Sequence, residues 1–491
     1  MALIMIRLGE ITLKSRRTRP RFERILIHNI RDALKSNQIE SFKIIREWGR
    51  FYVEVEDELA DKAIEILSRV FGIKSLSPVY KISYEDFEDL INQAFNFFVD
   101  KVKDKVFAVR ARRTGVSEFT SLDVERELGK RLLKFSRGVD LENPSIIVYV
   151  EVRGKNAYLF TKIYKAYGGL PIGSEGKALA LVSGGFDSAV AAWFMMKRGI
   201  MIDFLFCNLD GEAHQAGVIS VVKVLVDKWC YGYRPKLIIV NFQDILFEIL
   251  NKCENKYLNI ILKRMMYRVA KMILPKVNAE AIITGESMGQ VSSQTLRNLV
   301  VSSNAVDVSI FRPLIGFDKD EIIEYSRIIG TYEASARVKE YCGAFSDKPV
   351  TRANLDDIVR EESKFDFSLL ERAVKELKVI DLRKLSQIIS FKELEIEDIP
   401  DGAIIIDVRS PEKYKRSHID GAINIDFMRL FEEINKLKKN KTIVLYCDEG
   451  ALSLEAARIL KEKGFNVFSL KGGYRRIKRK LSRNLSSSNI F

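Results

Sequence analysis

The chain has 491 residues, 47% hydrophobic content and a formal net charge of +14. These values predict a globular protein of three or four domains with a polyanionic partner such as RNA, although a basic bias of the whole proteome is an alternative. No apolar run is long enough to span a bilayer and Met1–Ile6 is too short for a signal peptide, so we expect a cytoplasmic protein without a membrane partner. Five dispersed cysteines and three histidines argue against a disulfide framework and a zinc site.

Residues 1–75 combine alternating strands with one helix. Leu3–Arg7 and Phe51–Val55 alternate as strands do, and Arg21–Ser36 has helical periodicity. This pattern predicts a small ferredoxin-like α+β domain. The loop between the first strand and the helix is basic, and it either contacts phosphates or is a solvated polar connection. Its cations include Lys14, Arg16 and Arg17.

Residues 76–167 show a second α+β pattern, in which one strand alternates apolar and basic residues. The cations of that strand are Arg110, Arg112 and Arg113. A strand places Arg110 and Arg112 on one face, since they are two residues apart. Ser121 is predicted to cap the helix that follows, and strands are expected at 146–152 and 156–164. Paired arginines beside a helix N-terminus would suit an RNA backbone.

The segment 178–188 is the most informative in the chain. A buried strand ends in a glycine-rich turn with one aspartate and two serines, and an amphipathic helix follows. The turn consists of Ser183, Gly184, Gly185, Phe186, Asp187 and Ser188. Converging N–H groups, hydroxyls and a helix N-terminus suit a phosphate, and the carboxylate of Asp187 suggests a phosphate-bound Mg²⁺. The alternative is an ordinary strand–helix connection that Asp187 caps.

From residue 177 onward, strands alternate with helical segments, which predicts a doubly wound parallel sheet. The expected strands are 178–182, 203–208, 236–241 and 281–285. Ligands of such sheets bind at the carboxyl ends of the strands, where Gly285 lies. Residues 346–394 are charged and helical, and we interpret them as a linker and a packing helix.

A further α/β pattern begins near residue 397 and contains a candidate nucleophile. Cys447 follows the buried strand 442–446 and opens a loop before the helix 451–463. Loop N–H groups and the helix N-terminus would lower the pKa of this thiol and stabilise a negatively charged sulfur. The alternative is a buried structural cysteine.

Two resemblances follow from these motifs. The turn 183–188 resembles the PP-loop of enzymes that cleave ATP between the α and β phosphates. Cys447, together with Asp407-Val-Arg409 and His418-Ile-Asp-Gly421, resembles the rhodanese family, which implies a persulfide on Cys447. The acidic residues of its loop favour a protein persulfide donor over thiosulfate.

The order of the parts resembles the ThiI-type tRNA 4-thiouridine synthetases that carry a C-terminal rhodanese domain. The resemblance extends from Arg7-Leu-Gly-Glu10 to Gly472-Gly473 and includes Tyr341-Cys342-Gly343. It implies an N-terminal ferredoxin-like domain, an RNA-binding THUMP domain of α+β fold, a PP-loop domain, a helical linker and an α/β rhodanese-like domain with a basic tail. The expected bounds are 1–75, 76–167, 168–345, 346–394 and 395–491.

This resemblance implies an ATP-dependent transferase that adenylates uridine 8 of tRNA and replaces its O4 with sulfur. Cys447 would carry the persulfide, Cys342 would resolve the intermediate as a disulfide, and Lys319 would stabilise transferred charge. ATP and Mg²⁺ would bind at the turn, with further contacts from Leu181, Val182, Phe206, Arg264, Gly285 and Gln294.

The implied partners are tRNA, a cysteine desulfurase or other persulfide donor, and a thiol reductant. Delivery of sulfur to a thiazole sulfur-carrier protein for thiamin synthesis is left open, and so is a homodimer. A different class of function also stays open, namely a persulfide carrier with a non-catalytic RNA-binding module.

Overall fold

The computed structural model describes residues 1–115, 118–209, 211–338, 349–385, 394–433, 441–448 and 450–478. The chain divides into two compact units. The first comprises residues 1–176, 195–201 and 229–233, and the second comprises 177–194, 202–228 and 234–491.

The first unit begins with a ferredoxin-like domain, as predicted. Its elements are β1 (Ala2–Leu8), α1 (Arg19–Ser36), β2 (Lys43–Glu47), β3 (Arg50–Val55), α2 (Ala60–Ser68) and β4 (Ile73–Ser83). The strands pair antiparallel in the order β2-β3-β1-β4. Leu26 and Ile30 of α1 belong to the same buried core as Ile4 and Ile6 of β1, so the helix covers one face of the sheet. It begins two residues before the predicted start, because Pro20 fits a first helical turn.

The second α+β pattern extends the same sheet. Its elements are α3 (Phe87–Val102), β5 (Val106–Thr114), α4 (Ser121–Leu133), β6 (Gly138–Val139), β7 (Ile146–Arg153), β8 (Asn156–Phe160) and β9 (Tyr164–Lys165). From β4 the order continues through β8, β7 and β5 to β6, and β9 pairs with β4. The long strand β4 therefore takes part in both halves of a nine-stranded sheet, with a separate apolar core under α3 and α4.

The predicted cap of α4 is wrong by one residue. Thr120 Oγ1 accepts a hydrogen bond from Asp123 N at 3.2 Å, and Thr120 N donates to Asp123 Oδ2 at 2.7 Å. This reciprocal pair is a capping box, so Thr120 is the cap and Ser121 is the first helical residue.

The second unit contains a parallel-sheet domain. Its elements are β10 (Lys177–Leu181), α5 (Phe186–Lys197), β11 (Met201–Asn208), α6 (Gly211–Trp229), β12 (Lys236–Asn241), α7 (Gln243–Lys252), α8 (Leu258–Val277), β13 (Ala281–Ile283), α9 (Leu296–Ser303), β14 (Ile310–Phe311), α10 (Lys319–Ile329) and α11 (Tyr332–Ser335). The strand order is β14-β13-β10-β11-β12, followed by one further strand. Strand pairs β10–β13, β11–β12 and β13–β14 are parallel, which confirms the predicted fold class.

Much of the segment predicted to be a linker belongs to this domain. It forms α12 (Leu355–Glu362), α13 (Ser368–Lys375) and β15 (Lys378–Asp381), and β15 pairs antiparallel with β12. Ile358, Leu370 and Val374 are buried in the core of the sheet domain. The packing part of that interpretation fits these residues and the linker part does not, because an apolar stripe among the charged residues of these helices packs on the sheet.

The C-terminal domain of the second unit has its own parallel sheet. Its elements are β16 (Glu395–Ile396), β17 (Ile404–Asp407), α14 (Pro411–Arg416), β18 (Ile423–Asn424), α15 (Phe427–Glu433), β19 (Ile443–Tyr446), α16 (Ala451–Glu462) and β20 (Val467–Leu470). The order is β16-β20-β19-β17-β18, with every adjacent pair parallel. Cys447 directly follows the central strand β19. Within the described ranges, no helix is both long and apolar enough to cross a membrane.

Candidate active site

The glycine-rich turn joins β10 to α5, as the sequence predicts. Ser188 Oγ donates to Gly185 O at 3.3 Å, which closes the turn on itself. Gly184 has a φ of +83°, and a Cβ there would lie 2.8 Å from Val338 Cγ1, so a side chain would meet both strain and a clash. Because the first N–H groups of a helix lack intrahelical acceptors, the start of α5 at Phe186 is suited to a phosphate.

The carboxylate of the turn forms an ion pair with a lysine from a distant segment. Lys319 Nζ donates to both carboxylate oxygens of Asp187, at 2.9 and 3.0 Å. Lys319 is the first residue of α10, 132 residues from Asp187 in the sequence. Both side chains remain partly exposed, at 41% and 22%. The structure therefore brings together the two residues expected to act on the phosphates of ATP.

Gly285 lies directly against the start of α5. A Cβ at this position would come within 2.6 Å of Asp187 C and of Ser188 N. Only glycine permits so close an approach between two backbones. Gln294 follows in the same connection, and its Oε1 accepts a hydrogen bond from Ser287 N at 3.3 Å. The segment after β13 thus supports the phosphate turn from one side.

Sequence reasoning missed a histidine at the turn. His214 Nε2 lies 3.0 Å from Ser183 O, and its ring packs edge-on against Phe206, with 4.9 Å between centroids. Phe206 is 1% exposed, so its side chain forms part of the wall behind the turn. The only sequence signal was a histidine early in the helix after β11. Leu181 and Val182 lie on the strand side of the same turn.

A buried carboxylate, to which the sequence assigned no role, anchors the segment after β13. Glu286 is 4% exposed. Its oxygens accept from Lys263, Tyr267, Thr284 and Arg312 at 2.5, 2.8, 2.9 and 2.6 Å. Burial alone would raise the pKa of this carboxyl, but the charges of Lys263 and Arg312 outweigh burial and hold the pKa at about 2. Glu286 is therefore ionised and fixes the segment that carries Gly285.

Replacement of Glu286 by Gln is expected to lower the stability of the sheet domain by about 3 kcal/mol at pH 7. The pKa of Glu286 falls on folding from 4.5 to about 2. Its contribution is therefore fully present above pH 4.5 and is lost as the pH falls through 2. Urea unfolding, followed by tryptophan fluorescence from pH 7 downward, measures the difference. The exposed Glu280→Gln is the control, and equal stability of Glu286→Gln and wild type at pH 7 would contradict the anchoring role.

The expectation that Arg264 contacts ATP is wrong. Arg264 is 1% exposed, and its Nε and Nη2 donate to the two carboxylate oxygens of Glu362 at 2.6 and 2.8 Å. Its Nη1 donates to Val301 O. These bonds occupy the guanidinium within the core of the sheet domain, so its role is to join α8 to α12.

The turn has limited capacity to hold a metal ion by itself. Among the described residues, no group of three or more His, Cys, Asp or Glu side chains is arranged to bind a metal. Asp187 supplies one carboxylate, which Lys319 already contacts. Mg²⁺ usually binds proteins through one or two carboxylates and takes its other ligands from phosphates and water. The site therefore fits a Mg²⁺ ion that arrives with a nucleotide.

The second chemical centre surrounds Cys447. Gly450 N donates to Cys447 Sγ at 3.2 Å, and Ser453 Oγ lies 3.6 Å from the sulfur and 3.1 Å from Gly450 O. Gly450 has a φ of +101°, and a Cβ there would come within 3.2 Å of Gly472 N. The loop thus needs glycine to cradle the sulfur at the start of α16. Donors directed at the sulfur stabilise a thiolate or persulfide anion.

Arg409 fastens this loop to the sheet. It donates to both oxygens of Asp407, at 2.9 Å from Nε and 2.6 Å from Nη2. It also reaches Asp448 Oδ1 at 3.2 Å, and Lys413 contacts the same carboxylate at 2.6 Å. The charges of Lys413 and Arg409 outweigh burial and lower the pKa of Asp448. The acidic loop residue therefore serves as an anchor.

Comparison with known proteins covers every domain described above. Four family models match: "ThiI ferredoxin-like domain" at 3–77, "THUMP domain" at 84–162, "Thiamine biosynthesis protein (ThiI)" at 173–367 and "Rhodanese-like domain" at 392–480. The chain is 43% identical to a tRNA sulfurtransferase of Desulfurococcus amylolyticus, over 95% of this chain and 96% of that protein. The chain belongs to the tRNA sulfurtransferase (ThiI) family.

Two further comparisons agree with this family assignment. A tRNA sulfurtransferase of Pyrobaculum aerophilum is 38% identical over 96% of this chain and 97% of its own length. A crystal structure of a 4-thiouridine synthetase–RNA complex with bound ATP matches with a TM-score of 0.67 and 32% identity, over 77% of this chain and 99% of that chain.

The cations predicted to bind RNA lie in the ferredoxin-like and THUMP domains. Arg112 is exposed, whereas Arg110 and Arg113 donate to Leu141 O and Gly115 O, each at 2.6 Å. Arg16 and Arg17 are exposed as well. Lys14 Nζ lies 4.8 Å from the ring centroid of Phe22. The contact of these cations with RNA stays a prediction.

Cys342, the predicted resolving cysteine, lies outside the described residues.

Proposed function

We propose that this member of the ThiI family is an ATP-dependent tRNA sulfurtransferase that converts uridine 8 to 4-thiouridine. The observation that carries the proposal is the Asp187–Lys319 pair at the head of α5, where a phosphate would bind. Cys447 lies in another domain of the chain, where Gly450 N donates to its sulfur. This cysteine supplies the second half of the chemistry. The names of the relatives, tRNA sulfurtransferases, support the transfer of sulfur to tRNA.

The first step activates the oxygen that sulfur replaces. Uracil O4 is a poor leaving group, whereas AMP is a good one, so O4 attacks the α-phosphorus of ATP and pyrophosphate departs. The N–H groups at the start of α5 receive the phosphates, and Lys319 stabilises the charge that develops on them. Asp187 orients the Lys319 ammonium. A Mg²⁺ ion bound with ATP would neutralise the charge of the leaving pyrophosphate.

The second step delivers sulfur. The terminal sulfur of a Cys447 persulfide attacks C4 of the activated uracil, and the C4–O bond breaks as AMP leaves. The Cys342 thiolate then attacks Cys447 Sγ, which releases 4-thiouridine and leaves a Cys342–Cys447 disulfide. A thiol reductant supplies two electrons to reopen that disulfide. A cysteine desulfurase or another persulfide donor reloads Cys447. Sulfur supply to a thiazole carrier protein uses the same persulfide and belongs to the proposal as a secondary role.

A persulfide carrier with a non-catalytic RNA-binding module is the competing function. Such a carrier does not need the Asp187–Lys319 contact at the glycine-rich turn. It also does not need a glycine at position 285, which is required only because the backbone at the start of α5 lies so close. The intact supports of the phosphate turn therefore favour catalysis.

The direct test is product analysis. We would incubate the protein with an unmodified tRNA transcript, Mg-ATP and a persulfide donor, and then digest the tRNA for mass spectrometry. The proposal predicts 4-thiouridine and AMP in equal amounts, and neither from a transcript with cytidine at position 8. If the protein binds the tRNA transcript but forms no 4-thiouridine in it, the carrier alternative is favoured.

A further inference from the structure

An ion pair joins the rhodanese-like domain to the sheet domain that carries the phosphate turn. Arg337 Nη2 donates to Glu395 Oε2 at 3.1 Å. Arg337 follows α11 of the sheet domain, and Glu395 opens β16, the first strand of the rhodanese-like domain. The two side chains are 29% and 16% exposed, so solvent and salt screen this pair less than a pair on the open surface. The reaction proposed above gives neither residue a role.

On the sheet-domain side, the pair is attached to the phosphate turn. Val338, next to Arg337 in the chain, packs against an apolar cluster contributed by α5, α6 and α11. A Cβ at Gly184 of the turn would lie 2.8 Å from Val338 Cγ1. The ring of Tyr332 in α11 lies 5.5 Å from the ring of Phe186 at the start of α5, measured between centroids. The segment that carries Arg337 is therefore packed directly against the turn predicted to receive ATP.

On the rhodanese side, the pair is attached to the frame that holds the sulfur. Glu395 is paired in register with Ser469 in the parallel ladder between β16 and β20. Ser469 Oγ lies 2.9 Å from Ser453 Oγ, and Ser453 Oγ lies 3.6 Å from Cys447 Sγ. Ser453 and Ser469 are fully buried, so this frame moves as one body. A contact that fixes Glu395 therefore also sets the direction in which Cys447 faces.

We propose that Arg337 is a positioning residue, whose ion pair with Glu395 docks the rhodanese-like domain on the sheet domain for the delivery of sulfur. Cys447 takes its persulfide from an outside donor and then passes sulfur to a uracil activated at the phosphate turn. A single, partly exposed ion pair suits an interface that forms and separates, because its net contribution is small. The inference rests on the proposed function in one respect, namely that the adenylated uracil accepts the sulfur.

The first test detects the docked contact in the full-length protein without any turnover. Arg337→Lys places an amine opposite Glu395, and a zero-length carbodiimide is expected to join positions 337 and 395 through an amide, which peptide mapping by mass spectrometry detects. Lys471 and Glu397, 2.9 Å apart within the rhodanese-like domain, give an internal positive control. An amide between Lys471 and Glu397 with none between positions 337 and 395 would overturn the proposal.

Single-turnover kinetics with charge-reversal variants test the role of the contact. Arg337→Glu is expected to lower the rate of 4-thiouridine formation about tenfold, because it sets two like charges against each other. Pyrophosphate release with tRNA and persulfide loading on Cys447 are expected to stay within about twofold of wild type, since each uses one domain alone. The double variant Arg337→Glu/Glu395→Arg restores opposite charges and is expected to recover the rate to within about threefold of wild type.

Glu397→Gln is the matched control, because it removes a carboxylate two residues from Glu395 whose ion pairs lie within the rhodanese-like domain. Its sulfur transfer is expected to equal that of wild type. Normal pyrophosphate release and persulfide loading also show that both domains of each variant are folded. Equal 4-thiouridine formation by Arg337→Glu and wild type would overturn the proposal, and so would a double variant that does not recover. The wild type would still form 4-thiouridine in either case, so the proposed function would survive.

Discussion

Asp187→Asn is expected to lower tRNA-dependent AMP release about 10²–10³-fold while tRNA affinity stays within about threefold of wild type. The substitution keeps the shape of the side chain but removes the charge that holds the Lys319 ammonium at 2.9 and 3.0 Å. Without that charge, the ammonium is no longer fixed where the phosphates of ATP would lie. Thin-layer analysis of labelled AMP and filter binding of tRNA separate catalysis from binding.

Two companion variants sharpen this test. Lys319→Gln is expected to match Asp187→Asn, because two residues that act as a unit do not contribute additively. Asp320→Asn removes an exposed carboxylate next to Lys319 in the same first turn of α10 and is expected to keep wild-type AMP release. Normal AMP release by Asp187→Asn would show that the turn at 183–188 is not the adenylation site.

Cys447→Ala is expected to abolish sulfur transfer from a persulfide donor, with no 4-thiouridine and no stoichiometric AMP above background, while pyrophosphate is still released in the presence of tRNA as uracil O4 is adenylated. The two steps use different domains, so the loss of the sulfur carrier leaves the Asp187–Lys319 pair intact. Cys253→Ala is the control, because burial raises the pKa of that thiol to about 11 and makes it a poor nucleophile. Equal 4-thiouridine formation by Cys447→Ala and wild type would show that a thiol other than Cys447 carries the persulfide.

The resolving role of Cys342 has its own expected result. Cys342→Ala should accept a persulfide on Cys447, release about one AMP per enzyme and then stall with the tRNA still joined to Cys447 through sulfur, because no thiol remains to break that bond. A non-reducing peptide map of the wild type after one turnover should show a Cys342–Cys447 link. Undiminished multiple turnover by Cys342→Ala would contradict the resolving role and would show that an external thiol breaks the bond between Cys447 and the transferred sulfur.

Local patterns were sufficient to predict most of the fold. The turn at 183–188, the strands around it and the thiol at 447 have signals within a few residues, because glycine, alternation and helical periodicity act locally. The errors arose where tertiary packing decides. The segment that contains the charged helices at 355–375 was interpreted as a linker and a packing helix, since the extent of its apolar stripe becomes clear only when it packs against the sheet.

The candidate site was less predictable from sequence than the fold. Arg264 was assigned to ATP on resemblance, yet its carboxylate partner Glu362 lies 98 residues away and holds it in the core. Glu286 was assigned no role, because it acts through partners that the fold brings together. Arg409 was part of the motif that resembles the rhodanese family, but its ion pairs with Asp407 and Asp448 are seen only in the structure.

The central claim is that ATP activates the oxygen that sulfur replaces, and the fate of that oxygen tests it most directly. A tRNA with oxygen-18 at O4 of uridine 8 would be incubated with the protein, Mg-ATP and a persulfide donor, and the released AMP weighed by mass spectrometry. Adenylation at O4 predicts one oxygen-18 in each AMP formed with 4-thiouridine. AMP without the label, alongside normal 4-thiouridine formation, would contradict the account.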